Sequence, residues 1–497
     1  MTKNVAQVVF GLAVEGPFDY AVPYNQKELI GIGKRVSVLF NRHKRMGFVV
    51  GFIERSKFKQ LNPILDVLDE GAPSINEKAV ELTRLLHQHC GCTWGEALET
   101  YLPAGLRKGK KLDLKNVLKE KFLNKTGKTT LIHQGEGLKT WEVLVKEIKK
   151  TLDLNQSVIV LVPETELLDF VSEKIKKEIS ASLFILGKKS TAKKDLEIWQ
   201  NIREQKGSIV IGLRSAIFSP VQDLGLIIVR EEENSAYRQE QTPHYHVSDI
   251  AHFRKKTEQC NLVFTSAAPL AETWYEAQEK KWEIMDFSSN NTKFQLVDMT
   301  NYNPAKSSIV SVPLQNRIQD DLQNNKKIIL FMNRRGFFTF TRCSQCEHVL
   351  KCSRCSKNLT YLASKDSLVC SRCNTSQELP KVCPNCRGSY LRSSGMGVEK
   401  LKDTLKKFYP FAKVLTLDKD TKVLPKFFDI LVATQAVVKY YERLKVPTVA
   451  VMNFDGELNY FDFRSGQRAF TLLVHLRNMA QENFVVQTRM RDNYCLS

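Results

Sequence analysis

The chain's 497 residues, 42% hydrophobic and 26% charged, match ordinary globular usage and suffice for about three domains, which excludes a small stapled scaffold, a disordered tail and a collagenous rod. Its 74 Lys and Arg against 54 Asp and Glu leave a net charge of +20, a surplus that favours polyanionic partners through counterion release, nucleic acid ahead of anionic lipid. No apolar run approaches the roughly 18 residues that span a bilayer, and the stretch 5–14 leads into Glu15-Gly16-Pro17 without a small-residue cleavage site, so a cytoplasmic, unexported protein with no membrane partner is expected.

The first 70 or so residues read as β-rich, with short strand-like runs at 35–40 and 46–53 around a basic turn, Asn41-Arg42-His43-Lys44-Arg45. A helix is predicted over 76–89, where Val80, Leu82, Leu85 and Leu86 fall on or near one face. Between Arg107 and Lys128 nine basic residues stand against two acids; they read as a solvated linker or helix face, or as cations laid along a phosphate backbone. From Leu131 the rhythm changes to continuous apolar runs at 157–162, 208–213, 224–229 and 261–266, with intervening stretches such as 166–179 reading as crossover helices. Runs without polar alternation belong to parallel strands buried on both faces. The same rhythm returns at 326–332, 413–417, 429–433 and 448–452, so a second open sheet is expected, with a cysteine block inserted after its first strand.

That block holds Cys343-x-x-Cys346, Cys352-x-x-Cys355, Cys370-x-x-Cys373 and Cys383-x-x-Cys386, eight of the 12 cysteines. Two-residue spacers let both sulfurs of a pair converge on one ion, and eight thiolates suffice for two closed four-cysteine zinc sites. Fourteen residues separate Cys355 from Cys370, a hairpin's length, so the inner two pairs could close one site and the outer two the other. With no open ligand position implied, the zinc is expected to be structural. Cys90, Cys92, Cys260 and Cys495 read as small hydrophobes or idle thiols.

Taken together these residues resemble a known family, the bacterial primosomal replication-restart helicases of PriA type, over nearly the whole chain. Gly16-Pro17-Phe18-Asp19-Tyr20-Ala21-Val22-Pro23 and Gly33-Lys34-Arg35-Val36 resemble its amino-terminal 3′-end-binding domain, and Cys92-x-x-Gly95-Glu96-Ala97-Leu98 its winged-helix segment. Gly212-Leu213-Arg214-Ser215-Ala216-Ile217-Phe218 resembles its first motor domain. Asn333-Arg334-Arg335-Gly336 leading into the cysteine pairs, then Thr434-Gln435 and Asp462-Phe463-Arg464, resemble its second. The resemblance implies an α/β multidomain fold: a β-rich DNA-binding domain at 1–72, a winged-helix-like segment and basic linker at 73–125, a first RecA-like domain at 126–288, and a second at 289–342 and 391–497 around a zinc-binding insertion at 343–390. It also implies the nested zinc pairing, Cys343, Cys346, Cys383 and Cys386 on one ion and Cys352, Cys355, Cys370 and Cys373 on the other. The chain stops soon after Val486-Gln487-Thr488, so the family's carboxy-terminal domain is expected to be missing.

The nucleotide motifs depart from the family. A phosphate loop needs glycines, a Lys for the β/γ charges and a Thr or Ser for magnesium. Here the stretch is His133-Gln134-Gly135-Glu136-Gly137-Leu138-Lys139-Thr140-Trp141, which puts either Thr140 and Trp141 or Lys139 and Thr140 at the Lys and Thr positions, in both cases without an intact cradle. The family's Asp-Glu-Glu-His box reads Arg230-Glu231-Glu232-Glu233, a cation replacing the magnesium ligand, and its arginine-finger run reads Asn478-Met479-Ala480-Gln481-Glu482. The expectation is a zinc-bearing DNA-binding protein of replication restart that recognises forked, single-stranded or 3′-ended DNA and aids assembly with primosome and replisome proteins, single-strand-binding protein among them, without ATP-driven unwinding. The alternative is an active ATP-dependent 3′-to-5′ DNA helicase with a rearranged pocket, in which Lys139 and Thr140 hold ATP and magnesium and Glu231 and Glu232 are catalytic. For DNA contact the candidates are Asp19, Tyr20, Arg42, Lys44 and Arg45, although a strand Tyr is more often core.

Overall fold

A computed structural model of the chain describes residues 4–496 apart from 108, 115–126, 134–136, 288–291, 301, 303–308, 333–339, 344, 347, 357–358, 363–366, 371–372, 374, 390, 395–397, 419–420, 422 and 459–462. The family-like Asn333 to Phe337, Asp462 and the linker lysines Lys108, Lys115, Lys119, Lys121 and Lys125 lie outside the described residues. Among the described residues no helix is long and apolar enough to cross a membrane. The chain divides into two compact units, Met1–Ser288 and Ser289–Ser497.

The first unit begins with β1 (Val5–Val9), β2 (Phe18–Ala21), β3 (Arg35–Phe40), β4 (His43–Ile53) and β5 (Asp66–Val67), ordered β2-β1-β4-β3-β5. The sheet closes on itself: the segment leading into β5 reaches back to β2, where the Ala21 amide donates to Asn62 O and the Ile64 amide to Ala21 O, both at 3.0 Å. Inside sit Val8, Val36, Val38, Val49 and the rings of Phe10, Phe18, Tyr20 and Phe40. The basic turn is shorter than expected. Asn41 and Arg42 alone form it, with φ of 48° and 64°, the mirror-image two-residue turn whose twist matches the strands. Phe40 therefore faces His43, and Lys44 and Arg45 already belong to β4.

Next come β6 (Asp69–Gly71), α1 (Glu77–Cys90), α2 (Trp94–Thr100), α3 (Ala104–Arg107) and β7 (Leu112–Leu114), with β7 running parallel to β6. Asn76 caps α1 by accepting from the Ala79 amide, and Gly91 ends it in the left-handed region that glycine reaches without cost. Thr93 and Glu96 form a reciprocal capping box on α2.

The remainder of the first unit alternates β8 (Thr129–His133), α4 (Gly137–Asp153), β9 (Ser157–Leu161), α5 (Thr165–Glu178), β10 (Leu183–Leu186), α6 (Ala192–Glu204), β11 (Ile209–Gly212), β12 (Leu224–Arg230), α7 (Val247–Glu258), β13 (Asn261–Ser266), α8 (Ala271–Glu279) and β14 (Glu283–Asp286). The strands make a wholly parallel seven-stranded sheet, β10-β11-β9-β12-β13-β8-β14. Every residue of β9, β11 and β12 is buried, as strands covered by helices on both faces must be. One face packs against α4 and α5 around Leu144, Ile148, Leu168 and Val171. The other shares a continuous core with the helical module, joining Leu82, Leu86, Leu98 and Leu106 to Trp199, Ile202 and Phe264. Arg203 of α6 adds a bond from Nη1 to Ser74 O at 3.1 Å.

The second unit holds β15 (Lys293–Asp298), α9 (Val312–Gln323), β16 (Ile328–Phe331), then the insertion with β17 (Phe340–Cys343), β18 (Leu359–Leu362), β19 (Ser367–Cys370), β20 (Ser376–Glu378) and β21 (Leu391–Ser394). The α/β pattern resumes with α10 (Val398–Phe408), β22 (Val414–Leu417), β23 (Ile430–Ala433), β24 (Val446–Val451), α11 (Asp455–Leu458), α12 (Ser465–Met479) and β25 (Ala480–Thr488). Its sheet, β15-β25-β24-β16-β23-β22, is again parallel throughout. The fold is thus mixed α/β, an amino-terminal β domain followed along the chain by two parallel sheets, one in each unit. Sequence periodicity misses β10 and β14, which are short and half-buried or exposed along their length. It misses β25 because α12 passes into it at Ala480 with no breaker between.

Candidate DNA-binding surface, metal centres and nucleotide site

Asp19 lies on β2, where its carboxylate accepts the Ser56 hydroxyl at 2.6 Å, and Ser56 Oγ in turn accepts the Phe58 amide at 3.1 Å. Tyr20, its neighbour, points the other way, as strand alternation requires. It is 5% exposed and its hydroxyl donates to Leu39 O at 2.9 Å; burial pushes the phenol up to about 12. The ring therefore belongs to the core, which corrects the expectation that Tyr20 meets DNA. Arg42, at the hairpin tip, and Lys44 and Arg45, on β4, are all exposed. Consecutive strand residues alternate faces, so Lys44 and Arg45 do not share one.

In the insertion, Cys343 ends β17, which pairs antiparallel with β21, and Cys370 ends β19 in the β18-β19-β20 meander, while the other six cysteines lie in the segments outside these strands. Cys343, Cys346, Cys383 and Cys386 gather in one group and Cys352, Cys355, Cys370 and Cys373 in a second, all sulfurs of a group within 4.8 Å of one another. Cross-pair separations are 3.5 Å for Cys343–Cys386, 3.7 Å for Cys346–Cys383, 3.6 Å for Cys352–Cys373 and 3.4 Å for Cys355–Cys370. These are far beyond a disulfide's length of about 2.05 Å. A tetrahedron with metal–sulfur bonds of about 2.3 Å has edges of about 3.8 Å, so the donor sets fit two metal ions and leave no ligand position open. Hydrogen bonds from Asn385 Nδ2 and the His348 amide hold Cys346 at about 6, and those from the Thr375 hydroxyl and amide hold Cys373 at about 6, whereas the neighbouring sulfurs Cys346 and Cys343 push Cys386 up to about 12. Asn385 and Thr375 are contacts that no spacing rule announces. Cys92, Cys260 and Cys495 are buried and belong to neither group.

At the nucleotide position, only residues 134–136, outside the described residues, connect β8 to α4, whereas a phosphate-binding strand–loop–helix unit places a G-x-x-x-x-G run there. Lys139 is exposed on the first turn of α4 and Thr140 is 1% exposed. Trp141 is pinned by a 2.7 Å bond from Nε1 to Glu178 Oε1, with Lys174 Nζ 4.9 Å above its ring. Arg230 ends β12 with 4% exposure, its guanidinium standing where the resemblance calls for a magnesium ligand, and its carbonyl accepts the Tyr237 hydroxyl at 2.6 Å. Met479 is wholly buried and Glu482 pairs with Lys326 Nζ at 2.6 Å. The described residues do not fit a magnesium–nucleotide.

Glu231 follows with φ of 51°. Glu232, wholly buried, accepts the Leu270 amide at 2.8 Å and the Thr273 hydroxyl at 3.0 Å, tying β12 to the start of α8. Burial, and then the charge of Glu233, raise it from 4.5 to about 8. A carboxyl whose folded value lies above its unfolded one holds an extra proton between the two, so its contribution to stability falls as pH rises from 4.5 to 8. Glu232→Gln, whose Oε1 still accepts the Leu270 amide while Nε2 donates to the Thr273 hydroxyl without a charge, is therefore expected to gain on the wild type in thermal melts as pH climbs from 5 to 8. A pH-independent difference between the two would contradict this assignment.

A family described as the PriA 3′ DNA-binding domain matches residues 7–103. Replication restart protein PriA of Bacillus subtilis is 29% identical over 392 residues, 74% of this chain and 49% of that protein. The PriA of Chlamydia trachomatis is 32% identical over 413 residues, 78% and 55% respectively. For the PriA of Rickettsia felis the identity is 26% over 503 residues, 95% of this chain and 77% of the relative. The chain spans about half the length of the first two relatives. Among solved structures, RecG bound to a three-way DNA junction aligns at 12% identity with a TM-score of 0.38, over 73% of this chain and 40% of that one.

Proposed function

We infer, from a chain that is a relative of the replication restart proteins PriA and carries their 3′ DNA-binding domain at residues 7–103, that it acts in DNA replication restart. Its ligand in this reading is forked, single-stranded or 3′-ended DNA in the cytoplasm, and its protein partners are primosome and replisome components. The observation that carries the reading is the matched domain, folded as a closed β sheet with Arg42, Lys44 and Arg45 in solvent. In the same reading each cysteine tetrad holds one zinc ion, which would supply folding energy and no Lewis acidity, since four thiolates close the shell. Asp19 is the polar group through which the β domain would meet a terminal hydroxyl.

The protein is proposed to work without its own motor. Arg230 opposes magnesium, the β8–α4 connection is short for a phosphate cradle, and no arginine stands among residues 478–482 to offset γ-phosphoryl charge; such arginines alone contribute about a thousandfold or more in rate. A DNA-stimulated ATPase assay is expected to show no turnover above background. DNA-dependent hydrolysis abolished by Lys139→Ala would replace this reading with the helicase.

A further inference from the structure

Two phenylalanines stand in solvent at one end of the second unit's sheet, Phe411 at 101% and Phe427 at 76% exposure. Single exposed apolar side chains need no explanation, but the topology pairs these two. β22 and β23 run in parallel with Val414 opposite Ile430. One residue earlier, the Lys413 amide donates to the Asp429 carboxylate at 2.7 Å and the Asp429 amide to Lys413 O at 3.1 Å. Phe411 and Phe427 each lie two residues before that junction, so both rings emerge at the amino-terminal end of neighbouring strands. Nucleotide and other ligands of open parallel sheets gather at the carboxyl ends, so this end is separate from the nucleotide position.

The surroundings are cationic. Lys413 and Lys426 are exposed beside the two rings. Lys327 sits with Nζ 5.3 Å from the centroid of the buried Phe428 ring and donates to Lys426 O at 3.3 Å, which fixes the backbone that presents Lys426 and Phe427. A partner that merely covered the rings would have to strip water from these ammonium groups without compensation. A single strand satisfies both parts at once, since each nucleotide offers a π face to a ring and a phosphate to a cation.

We propose that this end of the sheet is a stacking site for single-stranded DNA, with bases laid on Phe411 and Phe427 and phosphates neutralised by Lys413 and Lys426. It rests on the proposed function for DNA as the ligand class and adds a second, sequence-tolerant holding point on the other unit.

The test uses the full chain and a fluorescent 12-nucleotide oligothymidylate. A Phe411→Ala, Phe427→Ala double variant is expected to bind about thirtyfold or more weakly, both stacks being lost, while its preference between forked and blunt duplex is unchanged. Lys413→Gln with Lys426→Gln should flatten the salt slope by about 0.7 for each phosphate no longer neutralised. Because both rings are solvated, these variants fold, and Phe411→Trp provides a direct readout: its emission should fall on oligonucleotide addition by more than that of the wild type with its five native Trp. Wild-type binding matched by the double variant, or no extra quenching in Phe411→Trp, overturns this site alone; loss of self-association in place of DNA affinity overturns it in favour of protein docking. A wild type that binds no DNA overturns the function and this site together.

Discussion

Elemental analysis of reduced protein is expected to find two zinc ions per chain, and strong chelation to unfold the insertion between β17 and β21 while the two parallel sheets stay protected. The insertion's own core is small, Leu350, Leu359 and Leu368 with the buried Cys352 and Cys370 and the partly buried Cys355 and Cys373, too little to hold about 50 residues without a staple. Each structural zinc site contributes on the order of 10–16 kcal/mol of apparent binding free energy, and in such small modules binding is folding. Hydrogen exchange gives the readout: amides of β17–β21 should lose protection with chelator and those of β9, β12 and β24 should keep it. Less than one zinc per chain, or unchanged exchange in the insertion after metal removal, would contradict the tetrads as metal centres.

Asp69→Ala is expected to destabilise the first unit by about 3–5 kcal/mol, since it leaves a guanidinium buried without its countercharge. Arg35 and Asp69 are both wholly buried. Asp69 Oδ1 accepts Arg35 Nε at 2.8 Å and Nη2 at 2.5 Å, and Oδ2 accepts the backbone amides of Arg35 at 2.9 Å and Ser74 at 3.1 Å. Arg35 Nη1 reaches Leu106 O at 2.8 Å, so one ion pair fastens β3, β6 and α3 together. Urea unfolding followed by circular dichroism measures the loss. Replacing both partners, Arg35→Met with Asp69→Leu, removes the orphaned charge and should recover part of the stability. A single-variant loss below about 1 kcal/mol would show that water reaches the pair.

The contrast between these two features explains what sequence reading can reach. Paired cysteines announce themselves because ligand spacing is local, and the buried strands β9, β11 and β12 because two-sided burial leaves continuous apolar runs. The helix at 77–90 is legible from its period. Arg35 and Asp69 are not legible, since they stand 34 positions apart in the chain and no rule of spacing joins a strand arginine to an acid on a distant strand. The extent of the basic turn is hidden because a two-residue mirror turn with Asn41 and Arg42 at positive φ lacks the usual glycine. Tyr20 shows the limit at the site itself: alternation places it opposite Asp19, but only the closure of the sheet through Asn62 and Ile64 reveals which face is inside. Glu232 likewise reads as part of a catalytic box until the Leu270 amide and the Thr273 hydroxyl claim its carboxylate. Truncating the first 70 residues is a poor probe of DNA contact, because the β domain, through Val9 and Phe48, shares a core with the helical module and the first parallel sheet.

The most direct test of a DNA-binding restart protein without a motor is therefore a binding comparison on the intact chain, forked DNA with a leading-strand 3′ end against blunt duplex, across a salt series and with and without ATP. The fork should bind more tightly at every salt concentration, log K for both should fall linearly with log salt at about −0.9 per phosphate neutralised, and ATP should change neither curve. Equal affinity for fork and blunt duplex throughout the series, or a fork preference that arises only with ATP, would contradict it.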